Sequence, residues 1–219
     1  MANLRTNRRI RPVYRRIAKT SLFKEKEAQP TFERFKPNLE QTLRFIGGNP
    51  SMHIILTAIL LLAAFWKGDW RHWRKYHHTI QYIIICNLLY NVLCRDHLLW
   101  KQNPDLLPES HAIVDLIYTF INLPAVTLIY LTHYPFKTSN GKQVQYILWW
   151  ILGSLVVEYP FYKMHRLLLQ HGYHFWMEPI FYIAMYTMIR LYFTKPLLTY
   201  GITAVIIVLL LQYFNIPVK

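Results

Sequence analysis

Residues 79–100 read TIQYIIICNLLYNVLCRDHLLW. The stretch is apolar enough to enter a bilayer, yet it carries Asn87 and Asn91 four residues apart, with Arg95 and Asp96 near its far end. That spacing sets both amides on one face of a helix. An unpaired amide is costly in hydrocarbon, so this face is expected to turn toward neighbouring helices and away from lipid. The rest of the chain is then the bundle that receives it.

Five further apolar runs, 52–66, 111–134, 143–162, 175–193 and 197–216, accompany it. Together they predict an all-α integral membrane bundle of five or six spans. The first run is short: it covers only about 22 Å of a hydrocarbon core near 30 Å, so it either spans with help or enters and returns. Asp115 falls in the first turn of the third run, where a helix N-terminus favours negative charge. Pro124 is expected to kink that run near Asn122. Glu158 lies near the exit of the fourth run and is followed closely by Pro160; Glu178 opens the fifth, and Arg190 lies near its end. The sixth contains no charge.

Charge divides the chain at residue 49. Twelve of the 25 Lys and Arg and four of the 11 acids lie before residue 50, a surplus of eight in a net charge of +14. Residues 1–49 are therefore expected to be a flexible basic cytoplasmic tail that touches anionic lipid, and 50–219 the membrane domain. A transit peptide also fits the composition, whereas the lack of a long apolar run in the first 45 residues excludes an ordinary secretory signal. Nucleic acid is not an expected partner, because apart from Tyr14 and Phe23 the first 24 residues lack the rings needed for base stacking. After the first run, KGDWRHWRKYHHT interleaves Trp70, Trp73 and Tyr76 with Arg71, Arg74 and Lys75, the pattern of an interfacial anchor. Cys86 and Cys94 would stand about 12 Å apart on one helix, too far for an internal disulfide.

If runs two to five all span, the second and fourth loops share a membrane face, which gathers Asp96, His97, His111, Asp115, Glu158, His165, His171, His174 and Glu178. Imidazoles and carboxylates are metal ligands and members of proton relays. His111, His171 and His174 match no specific ligand spacing, so no metal or other cofactor is expected and the loop histidines are read as solvated. Glu158 is the sharpest residue. An intramembrane carboxylate is either a functional site or half of an ion pair, here with Arg95. Asn87 and Asn91 are read as interhelical glue.

WRKYHHTIQYIIICNLLYNVL, INLPAVTLIYLTHYPF, HGYHFW and IRLYFTKPLLTYG, in this order, resemble a family of small multi-pass membrane proteins from spore-forming Firmicutes, over about residues 52–215. The resemblance implies a bacterial membrane setting and a helical architecture, and no activity. The chain departs from that pattern in its basic tail and in Tyr192 and Phe193, where the family more often has histidine.

No nucleophile elbow, phosphate-binding glycine loop or HExxH is present. Three classes remain: a non-catalytic structural, accessory or partner-binding component of a bacterial cytoplasmic membrane, either self-associating or bound to another membrane protein; a small transporter or channel using Glu158 and Asp115; and a membrane enzyme or metal protein using the His- and carboxylate-rich face. The first is the leading expectation, because the polar residues suffice to assemble a bundle.

Loops rich in Lys and Arg stay inside. The odd loops carry Lys67, Arg71, Arg74, Lys75, Lys137, Lys142 and Lys195, against Lys101, Lys163 and Arg166 in the even ones. Single cysteines at Ser21, Ser139 and Ser110, in a background lacking Cys86 and Cys94, are expected to react with an impermeant reagent on intact cells at Ser110 alone. Reaction at Ser139 would reverse the orientation.

Overall fold

A computed structural model of the chain describes residues 52–103 and 111–217. The basic tail, 1–49, and most of the polar loop 101–110 lie outside the described residues. The elements are α1 (Met52–Lys67), a 3-10 turn (Trp70–His72), α2 (Trp73–Leu93), β1 (Trp100–Gln102), α3 (His111–Ile117), a π turn (Tyr118–Asn122), α4 (Leu123–His133), α5 (Asn140–Lys163), β2 (Leu167–Leu169), a second 3-10 turn (Phe175–Met177), α6 (Glu178–Thr194) and α7 (Pro196–Tyr213).

The fold is mostly helical, as expected, but the span count is corrected. Among the described residues three helices are long and apolar enough to cross a membrane: Ala112–His133, which joins α3, the π turn and α4; α5; and α7. A fourth arises only if α1 and the following Trp70–Leu93 segment, set at 81° across their break, count as one. Length and composition explain the shortfall. Helix α1 has 16 residues and α6 has 17, which reach about 24 and 26 Å. Helix α2 opens on the basic, aromatic sequence WRKYHH and ends at Leu93, so Leu98–Trp100 never joins it. The first run is itself one uninterrupted helix, and with the segment bent away from it at 81° it has the shape of either a broken span or a re-entrant loop.

Hydrogen bonds at both ends lay α1 along the α3–α4 rod. At its start His53 Nδ1 meets Tyr118 OH at 3.0 Å and Nε2 meets Asn103 O at 3.0 Å. Past its end the Asp69 amide donates to Thr132 Oγ1 at 3.2 Å. Asp69 then caps the 3-10 turn by accepting from the His72 amide. Slight desolvation raises the Asp69 carboxyl, and the hydrogen bonds and charge of His72 more than reverse this, leaving it below its ordinary value. This contribution to stability is present above the unfolded carboxyl pKa and is lost as pH falls through the lower folded one.

Helix α4 packs on α1 and α2, while α6 packs on α2, α5 and α7. The main core is aromatic and aliphatic, with Tyr76, Ile83, Leu128, Tyr130, Leu131, Ile151, Tyr186 and Ile189 buried. At the other end the second and fourth loops pair as antiparallel strands, Trp100 opposite Leu169 and Gln102 opposite Leu167. From sequence these residues belong to a helix end and to loops, since three-residue strands are too short to show a period. The sheet is anchored by Tyr90 of α2, whose hydroxyl accepts from the amides of Leu99 at 2.8 Å and Trp100 at 3.1 Å, and whose ring stacks on Trp100 at 3.9 Å.

Gly68 allows the sharp exit from α1. A Cβ there would stand 2.5 Å from Ala64 O and 2.7 Å from Leu128 Cδ2. Gly68→Ala is expected to destabilise the fold by about 1–3 kcal/mol through overpacking, read as a lower midpoint of thermal unfolding in detergent. Gly141→Ala, where an added Cβ meets nothing within 4 Å, is the control.

Candidate functional site

Three helix faces carry the site, and each is a polar stripe at helical spacing. Asp115, Thr119 and Asn122 follow one another at intervals of four and three; Ser154 and Glu158 are four apart; Glu178, Tyr182 and Tyr186 recur every four. Packing turns these stripes toward one another around a cavity of about 720 Å³, lined by Asp115, Asn122, Ser154, Glu158, Glu178, Tyr182 and Tyr186 together with Asn87 and Asn91. Most of the remaining lining is aliphatic or aromatic.

The π turn has a local cause. Pro124 has no amide hydrogen, so the helical bond it would make to Phe120 is absent, and the Leu123 amide instead reaches back to Tyr118 O. The expected kink near Asn122 is therefore realised as one widened turn, a form that recurs at functional sites. It leaves Asn122 3% exposed, with neither Nδ2 nor Oδ1 hydrogen-bonded.

Asn87 behaves as interhelical glue: its Nδ2 donates to Thr119 Oγ1 at 2.7 Å, and that hydroxyl donates to Asp115 O at 2.6 Å. Asn91 lines the cavity on the same side of α2. Ser154 Oγ and Tyr186 OH, 2.6 Å apart, join α5 to α6. Glu158 is half-buried with Oε2 unpartnered, and Glu178, at the start of α6, is 3% exposed. Tyr182 interacts electrostatically with both carboxylates. Beside them the Tyr173 phenol, on the loop before α6, lacks a hydrogen-bond partner among the described residues. Burial, then Glu178 and Glu158, push it above the ordinary phenol range.

The expected Arg95–Glu158 ion pair does not form. Helix α2 ends at Leu93, which leaves Arg95 exposed in the following turn, while Glu158 faces the cavity and has no ion pair among the described residues. Arg190 lies outside the lining, bonded to Thr194 Oγ1 at 3.1 Å and set over the Tyr134 ring at 5.9 Å. It therefore does not continue a path from Glu158 and Asp115.

The histidines also part from the carboxylates. His171 is exposed, stacked on His97 with centroids 3.7 Å apart; His174 is exposed at the cap of the second 3-10 turn. The side chain of His111 lies outside the described residues. Among the described residues no three His, Cys, Asp or Glu gather in a metal-holding group. Asn122, Tyr182, Ser154 and Tyr186 are site residues that do not stand out in the sequence, although their stripes are present in the spacing.

Arg95→Gln is expected to change stability by no more than about 0.5 kcal/mol, as for an ordinary surface substitution, with Glu158→Gln still folded. Equal losses in both single variants that vanish in the double variant, measured by thermal unfolding, would restore the ion pair. Family models, curated proteins and solved structures provide no match to the chain.

Proposed function

We propose that this chain is a multi-pass protein of a bacterial cytoplasmic membrane that takes a small, largely apolar molecule into the cavity between its helices, as a carrier or a binding protein. The observation that carries this reading is the cavity itself: a volume of about 720 Å³, a mostly apolar wall and a few converging polar groups, which are the features of ligand sites. A purely structural bundle gains by closing such a space, since unfilled volume forfeits packing contacts and buried polar atoms without partners are costly. The Firmicutes resemblance supports the bacterial setting. The three long apolar helices are compatible with a membrane location, and the basic residues 1–49 suit contact with anionic lipid.

Gly153 lines the cavity, and an added Cβ there meets nothing within 4 Å. Gly153→Trp is therefore expected to fold like the parent and to fill the site. Mass spectrometry of solvent extracts from the purified protein is expected to find a near-stoichiometric small molecule on the parent and none on the variant. If the parent carries none, and membrane extracts fail to raise its melting temperature, the structural-component reading replaces this one.

A further inference from the structure

We infer that the molecule this cavity takes is an apolar organic cation, an inference that rests on the cavity being a binding site. Glu158 and Glu178 both line it, and no Lys, Arg or His does so among the described residues. A carboxyl group drawn away from water without a counter-charge is stabilised either by taking up a proton or by a bound cation, and a cation in this cavity would supply the second to both.

Acidic residues alone do not make a receptor, and two independent features accompany them. The first is Asn122, 3% exposed, on the cavity wall with both polar atoms unpartnered. Its carbonyl oxygen presents partial negative charge to a cation, and its amide nitrogen is unpartnered as well. The second is a set of rings lining the same cavity: Trp100 stacks on Tyr90 and meets Phe181 at 5.0 Å, and Phe181 meets Tyr182 at 5.6 Å. Aromatic faces are negative and attract cations, the more so when water is excluded. Ile206, Ile207 and Leu210 of α7 add an aliphatic surface to the same lining for the body of the ligand. An anion of the same shape gains nothing from these groups and is repelled by their ionised form, and a neutral molecule gains no charge attraction from them.

Tetraphenylphosphonium, tetraphenylborate and triphenylphosphine oxide carry similar apolar bulk with positive, negative and no net charge. Isothermal titration of the full chain in neutral maltoside micelles is expected to show saturable binding of the phosphonium and none of the borate. Glu158→Gln and Glu178→Gln are each expected to weaken the phosphonium about tenfold and to leave the neutral oxide unchanged. Equal affinity for all three probes would overturn the cationic assignment while leaving the cavity a binding site. Saturable binding of none would also overturn it, and the extraction from parent and Gly153→Trp then judges the binding site independently. Should either glutamine variant fail to fold, the comparison of phosphonium with borate on the unaltered protein decides alone. Phosphatidylethanolamine added as competitor separates the sources of such a cation: a lipid amine displaces the probe, and a preference for free cations leaves it bound, with the charge assignment upheld by either result.

Discussion

A polar group enclosed by apolar helices has no water to turn to and must find its partner inside the protein. The arrangement of this bundle follows from which groups succeed. Asn87 finds Thr119, Thr119 finds a carbonyl one turn back, Ser154 finds Tyr186, and the Tyr90 hydroxyl holds two strand amides. These bonds join α2 to the π turn, α5 to α6, and α2 to the small sheet. Asn122 and Glu158 Oε2, on the wall of the same cavity, do not succeed, and neither do Thr127 Oγ1 and the Tyr173 hydroxyl away from it.

That division separates scaffold from site. A tyrosine-rich core supplies rigidity: Tyr130 donates to Tyr186 O, Tyr146 donates to Tyr130 O, and their rings meet at angles between stacked and edge-on. The Tyr130 and Tyr146 rings each bury a large apolar body while their hydroxyls reach a backbone carbonyl, so they pack closely without leaving their own oxygens unpaired. The strands β1 and β2 brace the opposite end, where the loops after α2 and α5 would otherwise be held only by side chains. Between the two braces the Pro124-induced π turn widens one wall.

The electrostatics favour a guest over an internal ion pair. Arg95 stands outside in a turn, Arg190 is engaged with Thr194 and the Tyr134 ring, and the cavity retains carboxylates, an amide and aromatic faces. Such a wall selects by sign of charge as well as by shape, because in a low-dielectric space an uncompensated charge is far more costly than in water.

The sequence by itself determined the helical class, the short first run, the polar character of residues 79–100 and a disturbance near Asn122, because periodicity, hydropathy and proline act locally and leave their mark within a few residues. It also contained the stripes Asp115–Thr119–Asn122, Ser154–Glu158 and Glu178–Tyr182–Tyr186, but spacing shows only that residues share a face, not which face opposes it. Tertiary structure decided the rest. It paired two three-residue strands distant in sequence, too short to leave a pattern, and ended α2 at Leu93 so that Arg95 left the reach of Glu158. It also set Glu178 beside Glu158 while turning His171 and His174 outward. These outcomes depend on how whole helices cross and where loops return, which is settled by packing across the bundle and by no single stretch of chain.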